Sequence, residues 1–149
     1  MQDTQTPWQL MLNQLPNIEA KFADFDNSFW QQQHLPPAVL ELCRLRVAQL
    51  HQHNSELEPV PFEITKAKKD NLTQWASAGI YDDAEQACIG FTEVYCMDVA
   101  AISDSDADAV KAHFGEAGLV ALVQALGLFY ATTRTAMLNQ SLNEATANV

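Results

Sequence analysis

The sequence predicts an all-α protein, a compact bundle of several helices. Apolar residues recur every three to four positions in successive segments, and proline, glycine or aspartate residues separate those segments. No segment shows the alternating pattern of a β-strand, and no period of similar units indicates a repeat array. A chain of 149 residues has room for one domain with a hydrophobic core, so we expect 1–149 to form a single domain.

The N-terminal half is expected to contain two helices after an extension at 1–17. The first follows from four apolar residues at helical spacing: Ile18, Phe22, Phe25 and Phe29. It ends before the turn signal at 35–37, which contains two prolines. From Ala38 to Leu50 a broad apolar stripe predicts a second helix, with Arg44 and Gln49 on its polar side.

The middle of the chain is expected to open with a loop. Pro59 and Pro61 prevent a helix from continuing through 55–62, because proline lacks a backbone donor and clashes with the preceding turn. Helical spacing resumes over 64–78, and Gly79 is a natural stop.

Two capped helices and one long apolar helix are expected in the C-terminal half. Asp82 or Asp83 can cap a helix over 84–95, and Ser103 can cap another that Gly115 ends. The last helix, over about 116–142, is so apolar between 119 and 130 that nearly all of its surface must be covered. An oligomer interface is a second source of that cover, so we expect a homo-oligomer that associates through helices.

The composition excludes several classes of partner and compartment. Eight basic and nineteen acidic residues give a formal charge of -11, which repels nucleic acid and anionic membranes. We see neither a signal peptide nor a run near the roughly 20 apolar residues that span a bilayer, and expect a cytoplasmic protein. Cys43, Cys88 and Cys96 lack both the C-x-x-C spacing and the even number of a disulfide framework.

The segment 41–50, with the sequence ELCRLRVAQL, resembles the E-L-x-x-L-R-V-A motif of the alkylhydroperoxidase D and carboxymuconolactone decarboxylase superfamily. Trp75, the stretch 81–87, Glu93 and the run 113–134 resemble the family's second half in the same order. The resemblance covers about 35–137 and implies an alkylhydroperoxidase D-like helical bundle.

In that family the motif helix is followed by C-x-x-C, then a histidine four residues later, and an upstream glutamate completes a proton relay. By position, the relay glutamate falls on Glu41. The two cysteine positions fall on His53 and Glu56, and the histidine position falls on Val60. This chain therefore resembles a family member without the redox pair.

The exchange of both cysteines removes the family's peroxidase chemistry. A thiolate must attack the peroxide and a second thiol must resolve the sulfenic acid, and neither imidazole nor carboxylate replaces them. Cys43 lies at an apolar position of the motif, so we interpret it, with Cys88 and Cys96, as a core residue. Residual peroxidase activity through Cys43 or Cys88 is the least favoured hypothesis.

The altered site leaves three interpretations. The first is cofactor-free acid–base catalysis by Glu41, His53 and Glu56, of the lyase or isomerase type that acts on a small acid. The second is a metal site, with four candidate ligands: His51, His53, Glu56 and Glu58. It requires that the helix ends by about Leu50. If His51 and His53 were both in the helix, their side chains would point in different directions and could not share an ion.

The third interpretation is structural: a polar helix end in which Ser55 and Glu58 form a capping box for one short turn. Arg46 and Arg134 are each expected to pair with a buried or intersubunit carboxylate rather than with a substrate. The leading hypothesis is a protein that binds or converts a small metabolite without thiols, metal or cofactor. The rival hypothesis is a non-catalytic protein whose helices serve assembly or partner binding.

Overall fold

The computed structural model describes residues 7–147, in which every regular element is a helix. The α-helices are α1 (Pro7–Leu12), α2 (Pro16–Gln31), α3 (Pro37–Leu50), α4 (Lys66–Asp70), α5 (Trp75–Ala78), α6 (Asp83–Met97) and α7 (Asp104–Ala147). Three single turns of 3₁₀-helix are η1 (Ser55–Leu57), η2 (Leu72–Gln74) and η3 (Val99–Ala101). The all-α prediction is confirmed for this part of the chain. Residues 1–6 of the predicted extension and residues 148–149 of the predicted single domain lie outside it.

Helices α3, α6 and α7 pack against one another and enclose the main core. Each contributes fully buried apolar side chains to it: Leu40, Cys43 and Val47 from α3, Cys88 from α6, and Val110, Leu122, Ala125 and Leu126 from α7. Helix α1 packs on α7, and α2 packs on α3 and α7. Burial of these side chains is the main favourable term in the stability of the bundle.

The extension is partly helical, which the sequence did not predict. The six residues of α1 bury Trp8 against Phe22 of α2, with ring centroids 4.5 Å apart. A helix this short shows no periodic pattern and is stable only through tertiary packing. Sequence periodicity therefore could not reveal it.

The segment 64–78 is not the single helix that was predicted, but α4, η2 and α5 in succession. Thr65 caps α4, and the side chain of Asn71 donates to the carbonyl of Ala67 at 2.8 Å, where a longer helix would continue. A small second core around the buried Leu72 fixes this segment. Gly79 ends α5 in the left-handed conformation (φ 70°), as predicted.

The predicted caps of α6 and α7 are confirmed. The Asp82 carboxylate accepts from the backbone of Glu85 at 2.8 Å, and Glu85 accepts from the backbone of Asp82 at 3.1 Å, which is a complete capping box. Ser103 and Asp106 form the same reciprocal pair at the start of α7. Local sequence alone fixes both helix starts.

Helix α7 also meets the length and composition required of a membrane span. Over 104–141 its best 18-residue window has a hydropathy of 1.5, although the sequence was expected to contain no such run. A third of that window, 33%, is buried inside the bundle, and the core helix of a soluble protein passes the same test. Its exposed side includes Val120 and Gln124, so the bundle alone does not cover α7 all round. Of the two sources of cover that the sequence left open, the core is therefore not sufficient.

Gly115 breaks α7 into two helical parts. Its backbone has φ 69° and ψ −176°, a region that only glycine occupies readily, and a Cβ there would meet no atom within 4 Å. We expect Gly115→Ala to lower the free energy of unfolding by about 1–3 kcal/mol through backbone strain alone. Urea denaturation measures the change.

Gly127→Ala is the matched control, because Gly127 lies in the same helix and its Cβ would make only ordinary contact with Tyr95, at 3.5 Å. Alanine is the better helix former by about 1 kcal/mol, so this variant should be neutral or more stable. Equal stability losses in both variants would contradict the backbone explanation.

Candidate functional site

Glu41 and Arg44 form a bidentate ion pair on α3. The Arg44 Nε donates to Glu41 Oε2 and its Nη2 to Glu41 Oε1, both at 2.8 Å. The side chain of Glu41 has 0% exposure and that of Arg44 12%. A carboxylate buried this deeply is tolerated only with a charged, hydrogen-bonded partner, and the planar guanidinium meets both carboxylate oxygens. Arg44 is therefore an interior residue and not, as predicted, part of the polar side of α3.

The ion pair continues into the loop after α3. Arg44 Nη1 donates to Glu58 Oε2 at 3.4 Å, and Glu58 Oε1 lies 2.7 Å from His53 Nε2. Glu41, Arg44, Glu58 and His53 thus form one connected chain of charged and titratable groups. We call these four residues the relay. Three of them came from the sequence as candidates, and Arg44 did not.

A tight turn places His53. Helix α3 ends at Leu50, and the amides of Gln52 and His53 donate back to the carbonyls of Gln49 (3.0 Å) and Ala48 (2.9 Å). These two bonds define a Schellman motif, whose left-handed position is usually glycine. Here Gln52 occupies it with φ 55°. The turn satisfies the last carbonyls of α3 and directs the following residue back along the helix.

The structure separates the other predicted site residues from the relay. The His51 ring donates from Nδ1 to the carbonyl of Val47 at 2.8 Å and packs edge-on against Tyr130, with centroids 4.8 Å apart. The Glu56 side chain is exposed, and the backbone amide of Glu56 donates a hydrogen bond to Asn54 Oδ1 at 3.0 Å. Glu58 thus takes the place beside His53 that the sequence analysis gave to Glu56.

Two further interpretations can be compared with the geometry. Although α3 ends at Leu50, as the metal hypothesis required, His51 and His53 point to different partners. No group of three or more histidine, cysteine or acidic residues in the described part of the chain is placed to hold a metal ion. The predicted capping box is wrong, since Asn54 caps η1 and Glu58 bonds Arg44 and His53 instead.

A cavity of about 70 Å³ opens beside the relay. Its walls combine aromatic and charged side chains, among them Trp8, Asp26, Trp30, Arg44, Glu58 and Phe129. A volume of this size holds about five water molecules or a very small organic molecule. The cavity therefore brings a ligand-sized space into contact with Arg44 and Glu58.

Asp26, on α2, is an acidic cavity residue that the sequence analysis missed. Burial raises the pKa of its carboxyl, although a hydrogen bond with Trp30 and the charge of Arg44 act in the opposite direction. One feature of the sequence could have indicated that Asp26 is buried. Asp26 lies four residues after Phe22 and three before Phe29, and so falls within the apolar stripe of α2.

His53 also borders a second space of about 260 Å³, together with Gln49, Ser55, Glu56, Lys69 and Asp70. Both spaces are partly open to solvent, and we call the first, lined by Glu58, the inner cavity and the second the outer cleft. Because Glu58 lines the inner cavity and His53 the outer cleft, their 2.7 Å contact joins the two spaces. A proton can pass along such a contact between an imidazole and a carboxylate.

The two arginines that were predicted to pair with carboxylates, Arg46 and Arg134, have different kinds of partner. Arg46 donates to Glu93 Oε1 at 2.8 Å, and the indole of Trp75 donates to the same oxygen at 2.7 Å. This confirms a carboxylate partner for Arg46. Within the described residues Arg134 instead bonds the Tyr130 hydroxyl at 3.1 Å and lies over its ring.

All three cysteines are free, and burial suppresses their ionisation. Cys43 and Cys88 are fully buried, and Cys96 is half-buried at the edge of the core. Burial raises the pKa of Cys43 to about 12 and that of Cys96 to about 11, and also raises the pKa of Cys88. At pH 7 a thiol with a pKa near 11 is ionised in about one molecule in 10⁴.

Comparison of the sequence with models of known protein families gives no match, and comparison with curated proteins gives none either.

We expect the folded protein to be almost inert toward thiol reagents and organic hydroperoxides at pH 7. Iodoacetamide should modify Cys96 slowly and leave Cys43 and Cys88 untouched, whereas all three thiols react once urea unfolds the chain. Mass spectrometry of intact protein follows each alkylation. Cys96→Ser should abolish the slow native reaction and Cys43→Ser should not. Rapid consumption of cumene hydroperoxide with oxidation of a thiol would contradict this expectation.

Asp26 should make stability depend on pH in the acidic range. Because its pKa is raised above the ordinary value of 3.8, the folded protein holds the proton more tightly than the unfolded chain. The stabilisation from protonated Asp26 is complete below pH 3.8, and it is lost as the pH rises through the raised pKa of the folded state. Asp26→Asn lacks this loss, so its stability relative to wild type should increase with pH across that window.

Urea denaturation at intervals of half a pH unit gives the two curves. Asp24→Asn, which removes an exposed carboxylate from the same helix, corrects for the change in net charge. If the difference in the free energy of unfolding between wild type and Asp26→Asn stayed constant from pH 3 to pH 8, the Asp26 carboxyl would not cause the pH dependence of stability.

Proposed function

We propose that the protein binds and converts a small metabolite in the inner cavity by acid–base chemistry, without thiols. The contact between His53 and Glu58 supports this most directly, because it joins a small cavity to a neighbouring cleft through two titratable side chains. Glu58 faces the cavity and is the group that exchanges a proton with the ligand. His53 exchanges that proton with the outer cleft.

Arg44 and Glu41 act in this proposal as positioning residues. Arg44 holds one oxygen of Glu58 and leaves the other for His53, so the carboxylate has a fixed orientation. Glu41 in turn fixes the guanidinium through two bonds and balances its charge. The proposal thus keeps Glu41 and His53 from the sequence hypothesis and replaces Glu56 with Glu58.

The proposal includes membership of the alkylhydroperoxidase D and carboxymuconolactone decarboxylase superfamily, as a branch that has lost the redox pair. The motif at 41–50 supports it, since Glu41, at the family's relay position, here pairs with Arg44, which in turn holds Glu58 beside His53. His53 stands at the first cysteine position of the family. A lyase or isomerase reaction needs no thiol at that position.

Assembly through helices is the second candidate function. Four apolar side chains on α1, α2 and the joint between them are about half exposed: Leu10, Leu15, Ile18 and Phe25. Such residues in one region favour contact with another chain, and a homo-oligomer is part of this proposal. The mass of the intact assembly in solution tests it.

Exchange of carbon-bound hydrogen for deuterium tests the catalytic proposal without knowledge of the product. Wild-type protein in D₂O, incubated with small cationic, neutral and anionic carbonyl compounds, should accelerate exchange next to the carbonyl of at least one. Glu58→Gln keeps the shape of the side chain but not its basicity, so the rate should fall by about 10²–10⁴-fold. Proton NMR measures each rate.

Glu63→Gln, in the same loop and exposed, is the matched control and should exchange at the wild-type rate. Loss of exchange in Glu56→Gln but not in Glu58→Gln would restore the sequence hypothesis against the present one. No acceleration with any compound, together with an oligomer in solution, would favour the assembly function.

A further inference from the structure

We infer that the inner cavity selects a compact organic cation, a small amine in its ammonium form or a methylated ammonium. This inference rests on the proposed function, since it names the class of ligand for the same site. It differs from the small acid that the sequence analysis favoured. The negative charge and the aromatic walls of the cavity each favour a cation, and its volume limits the size of that cation.

The charges around the cavity favour a positive guest. Two carboxylates, those of Asp26 and Glu58, line the cavity with one guanidinium, that of Arg44. A third carboxylate, that of Glu41, acts on the same guanidinium but is not part of the lining. Two donor nitrogens of Arg44 are already used by Glu41, and a third reaches Glu58 at 3.4 Å. When all four side chains are charged, the group has a net charge of −2, because Glu41 balances Arg44 and leaves the charges of Asp26 and Glu58. An anion would be repelled here, and a monocation reduces the excess of negative charge from −2 to −1.

The apolar walls favour an organic cation over a hydrated metal ion. Trp8 and Trp30 line the cavity with Phe129, and Trp30 packs on Phe129 with ring centroids 5.8 Å apart. Aromatic faces attract ammonium groups and replace the water that such groups lose on binding, and tryptophan does so best. The carboxylates then accept the N–H bonds of an amine or balance the charge of a methylated nitrogen.

Size and long-range charge agree with this assignment. A cavity of about 70 Å³ suits a guest of roughly four or five heavy atoms, such as trimethylammonium. The formal net charge of -11 also draws cations toward the protein and away from bulk solvent. Burial raises the pKa of the Asp26 carboxyl, because it disfavours the charged carboxylate while the cavity is empty. A bound cation would offset this desolvation penalty.

The indole N–H signals of the three tryptophans give a local measurement. In ¹H–¹⁵N NMR spectra, titration with trimethylammonium should shift the Trp8 and Trp30 signals saturably. The Trp75 signal is an internal control, because its indole donates to Glu93 outside the cavity. Tert-butanol, a neutral probe of similar size, and acetate, an anion of similar size, should bind at least tenfold more weakly. Potassium at equal concentration corrects for general attraction of cations to the acidic protein.

Asp26→Asn should weaken trimethylammonium binding at least tenfold, while Asp24→Asn, on the exposed side of the same helix, should leave it unchanged. Equal or tighter binding of tert-butanol or acetate would overturn the cation assignment but keep a ligand cavity. Unchanged affinity in Asp26→Asn would also overturn it. If trimethylammonium binds as expected while no compound undergoes hydrogen exchange, the cation site stands and the catalytic proposal fails.

Discussion

The ion pair between Glu41 and Arg44 is the constraint on which the site depends. A carboxylate with no exposure cannot remain ionised without a matched cation, and removal of one partner from such a pair costs about 3–5 kcal/mol. Arg44 therefore has a fixed position inside the bundle, and its remaining donor and its charge reach Glu58 in the loop and Asp26 on α2. One guanidinium thus organises groups from α2, α3 and the loop after α3.

Local sequence predicted the parts of the fold that local interactions determine. The caps at Asp82 and Ser103 and the stop at Gly79 depend on residues within four positions, and each prediction is confirmed. Helix α1 and the divided segment 64–78 depend instead on distant contacts. Trp8 becomes buried only when α2 and α7 are present, and Leu72 only when α3 and α6 form its pocket. Single-sequence periodicity carries no information on such contacts.

The site was predictable to a similar degree. Glu41 and His53 followed from the motif and from the cluster of polar residues after it, and the structure connects them. Arg44 looked solvated because a helical wheel cannot show that α2 and a loop fold over it. The exchange of Glu56 for Glu58 has a similar origin, since only the three-dimensional course of a proline-containing loop decides which carboxylate turns inward.

The left-handed Gln52 sets the length of α3, and this has a consequence for the relay. Each additional helical residue would rotate the chain by about 100° and advance it by 1.5 Å. If winding continued past Leu50, the imidazole of His53 would be carried around the axis of α3 and away from Glu58. The contact between these two side chains thus depends on the left-handed backbone conformation of a single residue, and any event that rewinds the turn also separates the inner cavity from the outer cleft.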